Sequence, residues 1–400
     1  MSTVFAHVEP FPGDPILTLN EAFGKDERAG KVNLSIGVYY DDAGKLPVMR
    51  AVRQAEEAQL QQIGPRPYQP MAGALNYRQG VQKLLFGAQH EAVTSGRIAT
   101  IQSIGGSGAL RVGGDFLKRY FADSAVYVSD PTWDNHRSIF ESCGFETRTY
   151  PYYDAATGGV NFDGMLTELS KAPAKSIVLL HACCHNPTGV DLSPAQWTQL
   201  IDVVKQQGLI PFLDIAYQGF GDNLQDDAFA IRALADAGVS FFVANSFSKS
   251  FSLYGERVGG LSVVCANKEE ADRVFGQLQA TIRRNYSSPA THGGQVVARV
   301  LNTPELFKLW EDELGEMRDR IKAMRTALHG VLSAKVPGRN FDYFLTQRGM
   351  FSYTGLSGEQ VDRLKDEHGI YLVRSGRMCV AGLNTKNVEQ VASAIAQVLA

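Results

Sequence analysis

Along this chain, short apolar runs alternate with longer stretches whose apolar residues recur every three or four positions. Runs of four to eight apolar residues bounded by turn formers predict buried strands, and the helical spacing predicts amphipathic helices. Strands are expected at 97–104, 125–128, 176–180, 210–215, 241–244 and 260–264. Helices are expected at 16–23, 48–62, 109–121, 133–143, 194–207 and 228–237. Such alternation is the mark of an α/β sheet protein. Lys31–Tyr40 reads as a strand-like run interrupted by Gly37, where a glycine permits unusual dihedrals or a close backbone approach.

A long helix is expected after Thr303, with Thr303 as its cap and Pro304 in the first turn. Met317, Ile321, Met324, Leu328 and Val331 then follow along one face. The remaining chain carries short strands near Phe351, Tyr371 and Met378, then a closing amphipathic helix through Val388, Val391, Ile395 and Val398. That pattern suggests a small α+β domain. The opening residues, with Pro10, Pro12, Gly13 and Pro15, read as an arm.

Composition narrows the class. A length of 400 residues allows a large core and two domains. A net charge of −3 gives no reason to expect nucleic acid or an anionic membrane as partner. The five cysteines are odd in number and sparse, so a disulfide framework is not expected and a reducing cytoplasm is. Cys183-Cys184 lacks a second pair at zinc spacing and reads as packed core, so no metal site is assigned. No apolar run approaches the roughly 20 residues of a membrane span, and no signal peptide is expected at the start.

The candidate chemistry lies where runs end. Lys249, in Ser246-Phe-Ser-Lys-Ser, follows a buried strand; it is either a loop lysine or an amine activated for Schiff-base formation. Gly105-Gly106-Ser107-Gly108 opens a helix after a strand, as a structural turn or an anion site. It matches neither the dinucleotide fingerprint nor the P-loop. Asp214 ends a strand, where side chains face a ligand crevice, and Tyr217 follows it; a capping role is the alternative. Asn186 sits in a His-Asn-Pro-Thr-Gly loop, as a turn residue or a two-way hydrogen-bonding group. Arg377 and Arg283 are surface arginines or carboxylate clamps. Each signal is modest, but in this order they supply what pyridoxal phosphate needs: donors for its phosphate, a carboxylate for its ring nitrogen and a lysine for its aldehyde.

The same stretches resemble the fold-type I aspartate/aromatic aminotransferase family over essentially the whole chain. They include Asp130-Pro-Thr-Trp-Asp-Asn-His136, Cys183–Gly189, Asp214–Phe220, Ser246–Lys249, Gly255–Gly259, Asn285–Ser288 and Ser375-Gly-Arg377. Asp14–Leu19, Asn33–Gly37, Arg348–Leu356 and Arg377–Asn384 bring the chain nearest to the bacterial tyrosine enzymes. The resemblance implies a large domain at 48–314 built on a mostly parallel seven-stranded sheet. It also implies a discontinuous small α+β domain at 15–47 and 315–400, and an arm at 1–14. It implies transamination of tyrosine, phenylalanine and aspartate with 2-oxoglutarate, in a cytoplasmic homodimer with shared sites; an enzyme specific for aspartate is the alternative.

By position, the resemblance makes Lys249 the covalent anchor of pyridoxal 5′-phosphate and the proton shuttle. Asp214 is implied for the ring nitrogen, Tyr217 and Asn186 for the phenolic oxygen, and Trp133 for the ring face. Gly106, Ser107, Ser246 and Arg257 are implied for the phosphate, with Tyr68 reaching the neighbouring subunit's phosphate. Arg377, with Gly37 and Asn186, takes the α-carboxylate. Arg283 from the partner takes a distal carboxylate. Ser288, where strict aspartate enzymes carry Asn, is expected to loosen the tether on Arg283.

Overall fold

The computed structural model describes residues 3–11, 13–62 and 64–400. Met1, Ser2 and Pro12 of the expected arm lie outside them; the described arm residues, all exposed but the half-buried Gly13, form no helix or strand before Pro15. At the centre is a seven-stranded sheet. Its strands are β1 (Ile98–Ile104), β2 (Val126–Asp130), β3 (Thr147–Pro151), β4 (Ile177–His181), β5 (Ile210–Ile215), β6 (Phe241–Ser246) and β7 (Val258–Val264). They lie in the order β1-β7-β6-β5-β4-β2-β3. All neighbours are parallel except around β7, which is antiparallel to both β1 and β6.

Both faces of the sheet are covered, which is why its strands read as continuous apolar runs. Ile177, Leu179, Phe212 and Phe242 point into one core, under helices Gly105–Tyr120 and Lys268–Asn285. Val178, Leu180, Leu213 and Val243 alternate into the other. β3 escaped the sequence because it is an edge strand in which only Tyr150 is buried, so no apolar run marks it.

The Gly105–Tyr120 helix begins at Gly105, four residues earlier than expected, so the glycine cluster is the first turn itself. Helix His292–Asn302 had no forecast; it opens on Gly293-Gly294, a pair of poor helix formers. The long helix runs Pro304–Lys335, as the spacing predicts, but the Thr303 side chain makes no capping bond.

Three small strand pairs complete the fold, one of them the antiparallel hairpin of Tyr153–Asp154 with Gly159–Val160. Val32–Asn33 runs parallel to Ile370–Tyr371, and Phe351–Tyr353 runs antiparallel to Arg377–Cys379. Only Val32 and Asn33 of the expected Lys31–Tyr40 strand pair in this way. The rest wraps irregularly around the Arg377 strand, with the Leu34 carbonyl accepting from the Cys379 N–H at 2.7 Å. Among the described residues, no helix is long and apolar enough to cross a membrane.

Candidate active site

Parallel strands bring their carboxyl ends to one edge of the sheet, and a crevice forms there. A cavity of about 230 Å³ lies at that edge. β1 runs into Gly106 and Ser107, the loop after β2 brings Trp133, and the loop after β4 brings Asn186. Asp214 comes from the end of β5 and Tyr217 from just beyond. Ser246 ends β6, Lys249 follows, and Arg257 immediately precedes β7, whose reversed direction delivers it to the same edge. Gly37 and Arg377 close the cavity from the far side.

One end is a cradle for an anion. The first-turn N–H groups of a helix have no intrahelical acceptor and carry the positive end of its dipole. Here that turn is Gly105-Gly106-Ser107. A Cβ at Gly105 would lie 2.7 Å from Arg257 Nη2, and Gly105 has φ +65°, so only glycine lets the guanidinium pack there. Arg257 Nη1 donates to Ser248 Oγ at 3.2 Å, and Ser246 Oγ donates to Ser248 Oγ at the same distance.

In the middle, buried Asp214 accepts through Oδ2 from His136 Nε2 at 3.0 Å, while Oδ1 has no partner among the described residues. Because an ionised carboxylate can only accept, the ring proton of His136 is on Nε2. Thr132 Oγ1 lies 2.8 Å from His136 Nδ1. Burial works against the Asp214 charge, but the His136 hydrogen bond, with the Lys249 charge adding to it, outweighs burial and holds the carboxyl below its usual range. Lys249 Nζ lies 5.0 Å from the Tyr217 ring centroid. Burial brings this amine down to about 8; Asp214 opposes the fall, and Arg257 and Arg377 add to it. Burial also raises the Tyr217 phenol.

At the other end, buried Arg377 donates through Nη1 to Asn186 Oδ1 at 3.2 Å and through Nη2 to the Ser35 carbonyl at 2.6 Å. Its Nε is buried and unpaired among the described residues. Phe351 lies 4.5 Å beneath the guanidinium and meets the Tyr217 ring edge-on at 5.7 Å. A Cβ at residue 37 would come within 2.8 Å of Phe351 Cζ, which is why Gly37 stands there.

An activated amine, an unpaired carboxylate oxygen, an anion cradle and an unpaired guanidinium N–H share one cavity. The donor set fits pyridoxal phosphate beside an amino acid. Residues 29–395 match the family model for aminotransferase class I and II. The chain belongs to that aminotransferase family. It is 59% identical to the aromatic-amino-acid aminotransferase of Escherichia coli K12, over 99% of this chain and all of that one. It is 56% identical, over 99% of this chain and all of the relative, to the aspartate aminotransferase of Pseudomonas aeruginosa. The crystal structure of the Burkholderia pseudomallei aromatic-amino-acid aminotransferase, covalently bound to pyridoxal phosphate, matches over 100% of each chain, with a TM-score of 0.98 and 55% identity.

Three expected site residues of this aminotransferase lie away from the cavity. Tyr68 is 95% exposed, Arg283 is exposed and Ser288 is half-buried. The side chain that meets Arg283 is Ser287, not Ser288: Arg283 Nη1 donates to Ser287 Oγ. The helix ends at Asn285 and Ser287 turns back with φ +69°, which brings position 287 rather than 288 over the arginine. Several cavity residues went unforeseen. His181 ends β4 directly opposite Asp214, so the strand-end reasoning applied to Asp214 would have found it. Ile16, Tyr254 and Phe351 carried no local signal of their own.

Proposed function

We propose that this aminotransferase moves the amino group of tyrosine, phenylalanine and aspartate to 2-oxoglutarate, using pyridoxal 5′-phosphate held covalently by Lys249. The observation that carries this reading is Lys249, an amine lowered to about 8 that shares one cavity with Asp214, the anion cradle and a guanidinium N–H unpaired among the described residues. When bound, pyridoxal phosphate supplies an aldehyde carbon and a ring that accepts electrons. Gly106, Ser107, Ser246 and Arg257 would hold its phosphate. Asp214 Oδ1 would take its ring N–H, Tyr217 and Asn186 its phenolic oxygen, and Trp133 its face.

Arg377 grips the substrate α-carboxylate through its free Nε, with Gly37 and Asn186 alongside. Lys249 Nζ, its pKa brought down to about 8 by burial, takes the proton from the substrate Cα. His136 fixes the Asp214 carboxylate in place. Both substrates use the same Arg377, so the first 2-oxo acid leaves before the second binds, a ping-pong order.

The working unit is a cytoplasmic homodimer in which Tyr68 and Arg283 serve the partner's site. The exposed Tyr68 and the exposed apolar arm residues Val4, Phe5, Val8 and Phe11 support this. Free cysteines fit a reducing compartment. We assign residues 15–47 and 315–400 to one small unit, 48–314 to the large one and 1–14 to the arm. The pairing of Val32–Asn33 with Ile370–Tyr371 supports joining the two ends of the chain.

The test is to mix cofactor-loaded protein with each donor alone and follow the visible absorbance through one half-reaction. Tyrosine, phenylalanine and aspartate should each convert the band, and Lys249→Ala should abolish turnover; full activity in that variant sinks the reading. A second reading, an enzyme for aspartate with minor aromatic activity, is favoured by the similarity to the P. aeruginosa aspartate aminotransferase. The ratio of kcat/KM for phenylalanine over aspartate decides between them.

A further inference from the structure

Arg320, on the long helix, has no part in the proposed reaction, yet its half-buried guanidinium reaches four oxygens. Nε donates to Tyr39 Oη at 2.8 Å, and Nη1 to the Leu383 carbonyl at 2.7 Å. Nη2 donates to the Ala381 carbonyl at 2.9 Å and also to the Tyr40 carbonyl. The Tyr39 ring lies 4.6 Å from the guanidinium carbon. A planar fork with five donors suits this arrangement, and a lysine's three donors cannot reproduce it. Next to it, Asp42 accepts from the Thr385 N–H at 2.9 Å and the Thr385 hydroxyl at 2.7 Å.

Residues 39–42 are thus clipped to residues 381–385. The start of the same stretch is also tied down, by Cys379 N–H on the Leu34 carbonyl and Arg377 on the Ser35 carbonyl. Gly37, in the cavity wall, lies between the two ties. Further bonds leave the stretch: Tyr40 N–H donates to the Ala381 carbonyl at 3.2 Å, Cys379 Sγ to the Val38 carbonyl at 3.7 Å, and Tyr39 N–H to Tyr254 Oη at 2.9 Å. Tyr254 also lines the cavity, five residues beyond Lys249.

We propose that Arg320 is a positioning residue for the substrate-carboxylate subsite. It holds the wall around Gly37 at a fixed distance from Arg377, and through Tyr39 it ties that wall to the loop following Lys249. Outside Val32–Asn33 this stretch has no strand partner. Without the clip, it would have to be ordered each time a carboxylate binds, which weakens binding. A carboxylate is held alike in ground and transition states, so the loss appears in KM and leaves kcat intact. The inference rests on the reading of Arg377 as the carboxylate site.

The test is Arg320→Gln in the cofactor-loaded protein, measured by steady-state kinetics, calorimetric titration with succinate and amide hydrogen exchange. Losing charge-assisted bonds should raise KM for donor and acceptor together, and weaken succinate, by roughly tenfold. Over the same variant kcat should stay within about twofold, and exchange at Tyr39 and Tyr40 should quicken. Arg320→Lys should fall between the two. Unchanged succinate binding and KM overturn the proposal, as does a fall in kcat with KM intact. If Arg320→Gln does not fold, Tyr39→Phe removes the Nε acceptor and keeps the ring; unchanged KM and exchange there overturn it too. Failure of the unsubstituted protein to bind succinate would instead overturn the carboxylate-site reading.

Discussion

The proton affinity of Lys249 follows from a local balance of one carboxylate against burial and two guanidiniums. Asp214 is the group that favours the ammonium, so removing its charge lowers the amine further. Asp214→Asn should move the apparent pKa of Lys249 below about 8, read from the pH dependence of pyridoxal phosphate uptake by the cofactor-free protein. A value that stays put or rises contradicts the assigned contact. Arg377 makes the complementary case. Its Nε is buried without a partner among the described residues, and burial pulls its pKa down. A lysine there cannot offer two parallel donors. Arg377→Lys should cost about 1.5–3 kcal/mol in kcat/KM for every carboxylate substrate, the worth of a hydrogen bond to a charged group. Equal losses for phenylalanine and aspartate would place the defect at the shared α-carboxylate.

Helix Gly105–Tyr120 has to serve the cradle at its start and pack flat on the sheet further along. A Cβ at Gly113 would lie 2.6 Å from the Phe212 ring. Phe212 is fully buried between Phe140 and Phe242 and has no room to yield. Alanine favours a helix over glycine by about 1 kcal/mol, while overpacking a tight core costs about 1–3 kcal/mol. Gly113→Ala should therefore be neutral to destabilising, despite the gain in propensity; a rise in the urea midpoint would show that the ring can move. The long helix has an equivalent anchor. Trp310 Nε1 donates to the Ser250 carbonyl at 2.6 Å, and its ring stacks on Phe251 at 4.6 Å, directly behind Lys249. Trp310→Phe leaves that carbonyl unpaired and should cost about 1–3 kcal/mol of stability.

For the whole molecule, the arrangement to test is a dimer that shares its sites. Tyr68 is too exposed to serve the cavity of its own chain and is available to another. Lys249→Ala and Tyr68→Ala subunits should each make impaired homodimers. A mixed dimer has one of its two sites with both residues intact, and random equal mixing makes half of the dimers mixed, so mixing should restore activity toward about a quarter of the unsubstituted level. No recovery, with hybrids confirmed by mass spectrometry, would count against sharing.

Strand ends and glycine turns are local events, and they made the sheet, Asp214, Lys249 and the cradle legible in the amino-acid sequence alone. The apolar runs marked six of the seven sheet strands, because strands buried on both faces must be apolar throughout. The edge strand Thr147–Pro151 needs only one buried residue and left no such mark. Phe351 beneath Arg377, His136 on Asp214 and Arg320 clipping Tyr39 to Ala381 join residues far apart in sequence. The contact of Arg283 with Ser287 turned on a single left-handed backbone angle. Contacts of this kind depend on distances between separate segments, and those distances exist only once the segments have packed.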